Sequence, residues 1–399
     1  MSKAARPRLL AGVPLLEDLP DLEGLRALVR ADFNVPLEDT PEGRRVVDDF
    51  RIRTALPTLR WLEARGADVT VCSHLGRPGG HPDPRWSMEP VRRVLAELSP
   101  ASSLMENLRF DAGEKTNDPA FVERLVAGHD VYVNEAFGVS HRSHASVVGP
   151  PGTLPSAAGL RLAREVEVLG GLLVAPKRPF VAIVGGAKVA DKLGVLSVLA
   201  RRVDVLAVGG AMAFTFLAAL GHNVGSSLVD PDRIDDCAAL LKRCDNLLLP
   251  NDIVALEPGG VLCGAGASVH AGAAKITGVD LSDGWKGVDI GPDTTAAISE
   301  AVSEAGTVLW NGPLGAFEDD RFALGTHRVA EALAASRAFT VVGGGDSAAA
   351  LDRFCLAKKV DFVSTGGGAS LALLEHGDLP ALEALRKAPN ASSGLTTVG

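Results

Sequence analysis

The sequence predicts an α/β protein made of two doubly wound, parallel-sheet (Rossmann-like) domains joined by a hinge helix. Short apolar, β-branched runs alternate with helical patterns along the chain. In the second half each such run ends in a glycine cluster that opens a helix, as when a strand feeds a parallel sheet covered on both faces. Finally, 399 residues exceed what one hydrophobic core usually serves.

The strand, glycine and helix unit appears four times, beginning at Val181, Asp204, Phe339 and Asp361. In the first half the strand ends carry side-chain chemistry instead, reaching Asp32, His74 and Asn134, with helical stretches over Thr54 to Arg65 and Met88 to Leu98. A Pro/Gly segment from Gly149 precedes a helix whose Leu162, Val166, Leu169 and Leu173 share one face. Gly170, Gly171 and Pro176 are expected to end it. The apolar run Val205 to Gly221 is long enough to raise a membrane span, but Gly209 and Gly210 divide it, so it reads as strand, turn and helix.

Composition is that of a globular chain, 46% hydrophobic and 22% charged. A net charge of −9 without any Lys/Arg block argues against nucleic acid or an anionic membrane as partner, so any anion site must be built locally. Five cysteines without zinc-type spacing fit a reducing cytoplasm. Arg6 and Arg8 precede the apolar stretch Leu9 to Leu16, but Pro14 interrupts it and Glu17 and Asp18 follow, unlike a signal peptide.

Glycines at a helix N-terminus let phosphate approach unpaired backbone N–H groups at the positive end of the helix dipole. One such pair is equally a tight turn; four along one sheet edge suit a polyphosphate. There is no GxxxxGK[ST] and no GxGxxG. Lys188 and Lys192, four apart, are expected at the start of a helix on one face, where they need a compensating anion. Asp346 is either a helix cap or a carboxylate that holds magnesium against nucleotide phosphates, with Ser347 beside it as donor. In the first half, Arg51, Arg77, Arg109 and Arg142 lie in or beside turns, with His74, His141 and His144 nearby. Each is individually a solvated charge or a ligand, but strand-end placement is compatible with one cleft between the halves, and guanidinium forks suit carboxylate and phosphate. Asp32 and Asn34 point the same way if their segment is extended, as acceptors for substrate hydroxyls. The ligand so described is small, hydroxylated and doubly anionic.

Ten ordered segments resemble phosphoglycerate kinase across nearly the whole chain, among them VRADFNVP (29 to 36), SHLGRP (73 to 78), VNEAFGVSHRSHAS (133 to 146), GGAKVADKL (185 to 193), WNGPLGAFE (310 to 318), VVGGGDSAA (341 to 349) and VSTGGGASLALLE (363 to 375). The resemblance implies reversible phosphoryl transfer between 1,3-bisphosphoglycerate with ADP and 3-phosphoglycerate with ATP, with Mg2+, by a cytoplasmic monomer. It implies that Asp32, Phe33, Asn34, Arg51, His74, Leu75, Gly76, Arg77, Arg109 and Arg142 bind the phosphoglycerate. Arg51, Lys188, Lys192 and Gly367 would serve the transferred group. Gly209, Gly210 and Gly287 would border adenine, Glu318 would hold ribose, and Gly344, Gly345, Asp346 and Ser347 would cover the phosphates. Expected boundaries are 1–155 for the phosphoglycerate domain, 156–175 for the hinge and 176–389 for the nucleotide domain, with 390–399 returning to the first. Three departures from the usual family pattern stand out: Ala211 for a glycine, Ser347 for a threonine, and Asp293 for a glutamate. Ala211 puts nucleotide preference in question. A dehydrogenase would need GxGxxG, and a non-catalytic nucleotide binder would not need the arginines of the first half.

Overall fold

The computed structural model describes residues 8–41, 43–263 and 272–389. The chain divides into two compact units, 1–171 with 376–399, and 172–375.

The first unit is built on a five-stranded parallel sheet in the spatial order Ser103–Leu104, Asp68–Cys72, Arg26–Arg30, Val131–Asn134, Ser156–Ala158. Both faces of the central strand are buried. Ala27 and Val29 join Phe33, Ile52, Leu59 and Val71 in one core, while Leu28 and Arg30 face the other side. A short antiparallel hairpin, Leu37–Thr40 with Gly43–Val46, stands outside this sheet. Helix Phe50–Glu63 packs Ile52, Leu56, Leu59 and Leu62 inward at helical spacing. Helix Pro119–Val126 starts where the Asp118 carboxylate accepts the Ala120 amide at 2.8 Å.

The second unit has a six-stranded parallel sheet ordered Leu247–Leu248, Val205–Val208, Phe180–Val184, Thr307–Asn311, Phe339–Gly343, Phe362–Val363. All four glycine-ended units of the sequence are in it, joined by Thr307–Asn311, whose Trp310 is fully buried. The run from Val205 is strand Val205–Val208 and helix Ala213–Ala219, and among the described residues no helix is long and apolar enough to cross a membrane. Sequence periodicity did not separate out a three-stranded antiparallel sheet, Ala274–Gly278, Asp252–Leu256, Lys286–Ile290, which carries Gly287. Asp252 links this small sheet to helix Pro292–Glu304 by accepting the Asp293 and Thr294 amides at 2.9 and 2.8 Å.

Two expectations are corrected. The helix after Gly149 runs Leu160–Val174, straight through Gly170 and Gly171, and stops before Pro176. Gly170 serves close packing, since a β-carbon there would come within 2.9 Å of the Leu9 side chain. Lys188 and Lys192 precede their helix, Leu193–Leu199, because the chain turns back at Gly186 with φ +106° and leaves Lys192 at the cap position.

The expected returning tail, 390–399, lies outside the described residues, but the chain is back in the first unit from His376 onward. Helix Pro380–Arg386 packs Ala381 against Ala136, Val139 and Val147. Arg386 donates to the Leu9 and Ala11 carbonyls at 3.0 and 3.2 Å and to Asp378 at 2.6 Å. Leu382, fully buried in this helix, should cost about 2–5 kcal/mol when changed to alanine, measured by denaturant unfolding of the whole chain.

Candidate active site in two halves

In the first unit the chain leaves the sheet after Arg30 and turns, with the Val35 amide donating to the Phe33 carbonyl at 2.8 Å. Asp32 and Asn34 therefore do not sit side by side on an extended segment. The Asp32 carboxylate accepts the Asn34 amide at 3.3 Å, pairs with the Arg51 guanidinium from the first turn of helix Phe50–Glu63, and lies 3.8 Å from His74 Nδ1. Asn34 Oδ1 instead accepts the Gly76 amide at 2.8 Å. Phe33 and Leu75 are core residues, so only their main chain can meet a ligand. Gly76 has φ +60°, and a β-carbon there would run into the Trp86 indole. Its carbonyl accepts Arg109 Nη1 at 2.6 Å.

Beneath these groups lies fully buried Arg30, a residue that sequence reasoning passed over. Its Nε donates to Ser146 Oγ at 2.8 Å, Nη1 donates to the Ala31 carbonyl, and Nη2 lies 3.3 Å from His74 Nδ1 and 4.0 Å from Glu114. Glu114, also fully buried, accepts the Ser146 hydroxyl and amide at 2.7 and 2.9 Å and sits 3.6 Å from His144. The signal was available: an arginine inside an apolar strand must be paired. Its partner, far along the chain, was not visible.

Positive charge in this cluster exceeds negative. Burial, then crowding by Arg30 and Arg142, lowers Arg109 to about 10, and its buried Nε has no hydrogen-bond partner. Burial and Arg142 likewise lower His141 to about 4, and burial drives His74 well below its usual value despite Asp32. Burial alone would raise Asp32, but Arg51, His74 and Arg30 overcome it and hold the carboxyl low. Arg142 and Arg77 are exposed, and Arg142 Nε reaches His141 at 3.2 Å. Clustered guanidinium groups of this kind suit carboxylate or phosphate.

In the second unit two adjoining cavities share Gly186, Ala187 and Asp346. The smaller, about 530 Å³, is lined by Lys188, Lys192, Gly344, Gly345, Asp346, Ser347 and Gly367. The larger, about 610 Å³, includes Gly210, Ala211, Gly287 and Glu318. Lys192 Nζ turns back onto the Gly185 carbonyl and lies 3.2 Å from Asn311 Oδ1, a partner that the sequence alone did not single out. Burial lowers Lys192 to about 8, with Asp346 and Asp191 pulling the other way. Asp346 is not the cap of helix Gly345–Arg353: Gly344 is, at φ +100°, which leaves the exposed Asp346 carboxylate free of a capping role. Buried Ser347 Oγ accepts the Gly312 amide at 2.7 Å and keeps its own proton to donate. At Gly367 a β-carbon would come within 2.6 Å of Gly344 Cα, so the two glycine turns touch. Gly209 lines neither cavity; it is buried, and the Leu314 side chain occupies the space of its missing β-carbon.

Beside this cationic cluster at the strand ends of one unit and the glycine-lined cavities at the strand ends of the other stand the comparisons with known proteins. The family model for phosphoglycerate kinase matches residues 16–103 and 100–377. The chain belongs to the phosphoglycerate kinase family. The phosphoglycerate kinase of Rubrobacter xylanophilus is 46% identical over 389 residues, covering 92% of this chain and 96% of the relative. That of Chloroflexus aurantiacus is 44% identical over 404 residues, covering 92% and 98%. The solved phosphoglycerate kinase of Coxiella burnetii superposes with a TM-score of 0.80 at 34% identity, covering 94% of this chain and 98% of the other. The activity is that of a phosphotransferase, moving a phosphoryl group reversibly between 1,3-bisphosphoglycerate with ADP and 3-phosphoglycerate with ATP.

For a phosphoglycerate kinase, a lysine that titrates near neutrality has a direct consequence. Lys192 is cationic below about 8 and neutral above it, so any attraction it offers an anion in the smaller cavity is lost as pH rises through that value. ADP affinity by calorimetry should fall across this range in the wild type. It should stay flat in Lys192→Arg, whose guanidinium does not titrate there.

Proposed function

We propose that the two halves divide the reaction, the first unit holding the phosphoglycerate and the second the nucleotide. The observation that carries this is buried Arg109, crowded by Arg30 and Arg142 and with its Nε unpaired, a cation in want of an anion. In this reading Arg109, Arg142, Arg77 and His74 bind the phosphate and carboxylate of phosphoglycerate, and Asn34 and the main chain of Phe33, Leu75 and Gly76 border it. Asp32 aims Arg51 at the transferred group. Gly210, Ala211 and Gly287 take the base and Glu318 the ribose. The N–H groups of Gly344 and Gly345 take the phosphates, with Ser347 donating to them. Lys188, Lys192 and the helix opening at Gly367 carry charge on the migrating phosphoryl.

Asp346 is the residue that would hold Mg2+. Its exposed carboxylate lines both cavities, and among the described residues there is no group of three or more His, Cys, Asp or Glu, which fits an ion completed by phosphate oxygens and water. Such an ion neutralises phosphate charge when bound. A reducing cytoplasm is the compartment we propose, supported by five free cysteines, and the monomer is proposed from the family resemblance alone.

Phosphoryl transfer needs positioning and charge neutralisation rather than covalent chemistry. Arg51→Ala should lower kcat by at least about a hundredfold with a smaller change in KM, as for a contact made chiefly in the transition state. A coupled assay for ATP formation from ADP checks this, and a near-normal kcat would sink the assignment. Donor and acceptor bind different units, so transfer requires a state in which they meet, with the segment 156–175 as its hinge. Small-angle scattering should show a smaller radius of gyration when both ligands saturate than with either alone.

A further inference from the structure

The residues 312–318, which bring Gly315, Ala316 and Glu318 to the larger cavity, belong to no strand or helix. What fixes their shape lies behind them. Fully buried Thr326, in the first turn of helix Leu324–Ala335, accepts two successive amides on one hydroxyl oxygen, Leu314 at 3.1 Å and Gly315 at 3.2 Å. Buried Asp289, in the strand that carries Gly287, accepts the Gly325 amide at 2.8 Å with one oxygen and the Ile290 amide at 2.9 Å with the other. Gly315 lies against it, and a β-carbon there would come within 2.6 Å of Asp289 Cβ. The Ala316 amide reaches the Val288 carbonyl at 3.3 Å. Strand, loop and helix start thus close into one ring of bonds.

We infer that Thr326 and Asp289 are positioning residues for nucleotide binding, holding the 313–318 loop in the shape that presents Glu318 and the floor around Gly315 to the nucleotide. Neither lines either of the two adjoining cavities, so each acts through the loop. Burial pushes the Asp289 carboxyl up to about 7 against the pull of the Gly325 and Ile290 amides, so the fold keeps a costly group there that a neutral side chain would spare it. Without the Thr326 oxygen, two buried N–H groups lose their partner and the loop must move to find others.

The inference rests on the assignment of Glu318 and Gly287 to the nucleotide, so the test includes both levels. ADP and 3-phosphoglycerate binding are measured by calorimetry on the full chain for Thr326→Val, Thr326→Ser, Asp289→Asn and Glu318→Ala. Thr326→Val should weaken ADP about tenfold and leave 3-phosphoglycerate within about twofold, while Thr326→Ser keeps ADP affinity. Asp289→Asn should move in the same direction as Thr326→Val. Should it fail to fold, the Thr326 pair decides, because unimpaired 3-phosphoglycerate binding reports an intact first unit. Wild-type ADP affinity in Thr326→Val, equal weakening of both ligands, or a Thr326→Ser variant as impaired as the valine overturns the inference. Unchanged ADP affinity in Glu318→Ala overturns the underlying site assignment, whereas a weakened Glu318→Ala beside a normal Thr326→Val overturns only the positioning role.

Discussion

Parallel pairing is the constraint on which the rest depends. Strands that all run one way need crossovers on both faces, so both faces are buried and polar groups are expelled to the strand ends. Those ends lie along one edge of each sheet. In the first unit Asp32 and His74 lie two residues past the ends of their strands and Glu135 one residue past the end of its own, on three neighbouring strands. In the second unit the residues past the strand ends are Gly185, Gly209, Gly312 and Gly344. A ligand set drawn from distant parts of the chain is therefore assembled by topology before any side chain is chosen.

The two units then use that edge in opposite ways. The first gathers charge on long side chains and must hold like charges together, as at Arg109 beside Arg30 and Arg142. It does so by placing the carboxylates of Asp32 and Glu114 among them, both held low against burial, Asp32 by Arg51, His74 and Arg30, and Glu114 by His144, Arg30 and Ser146. Glu114 is the deeper of the two counter-charges. Losing it would leave buried Arg30 with Asp32 as its remaining counter-charge; removing one partner of a buried pair costs about 3–5 kcal/mol in comparable cases. The second unit supplies N–H groups, which carry partial charge at fixed positions and little desolvation cost, and adds a lysine that burial has brought to the edge of neutrality. One half stores excess charge; the other stores exposed backbone.

Much of this was legible in the sequence because its signals are local. A β-branched run followed by glycines identifies a strand entering a phosphate-type turn from a dozen residues, and all four such units fall in one sheet. The arginines beside strand ends were legible for the same reason. Long-range partners were not: Glu114 with Arg30, Asn311 with Lys192, Thr326 with Gly315, and Asp289 with Gly325 are pairs that only tertiary contact defines. Nor were the antiparallel strands around Gly287, since Ala274–Gly278 is exposed along most of its length and has little apolar alternation to detect. At Phe33, Leu75 and Gly209 the motifs alone could not tell main chain from side chain: burial assigns the side-chain positions to the core and leaves only the backbone to meet a ligand.

The same distinction separates the three departures from the family pattern. Ser347 uses its hydroxyl to accept the Gly312 amide, a bond that threonine would make equally, so this change leaves the loop anchored. Asp293 takes part in its helix start through its amide, which donates to Asp252, while its own side chain is exposed. One methylene more or less there does not alter the cap. Ala211 differs because its residue lines the larger cavity, beside Gly210. Gly210 cannot carry a side chain at all: its φ is +67°, and a β-carbon would come within 2.7 Å of the Gly186 carbonyl oxygen and 2.8 Å of that of Pro313. Backbone contact thus fixes one wall of this cavity at Gly210, and the side chain at position 211 is added beside it. A methyl at that point takes volume from the cavity, so of the three departures only Ala211 changes the lining of a cavity wall.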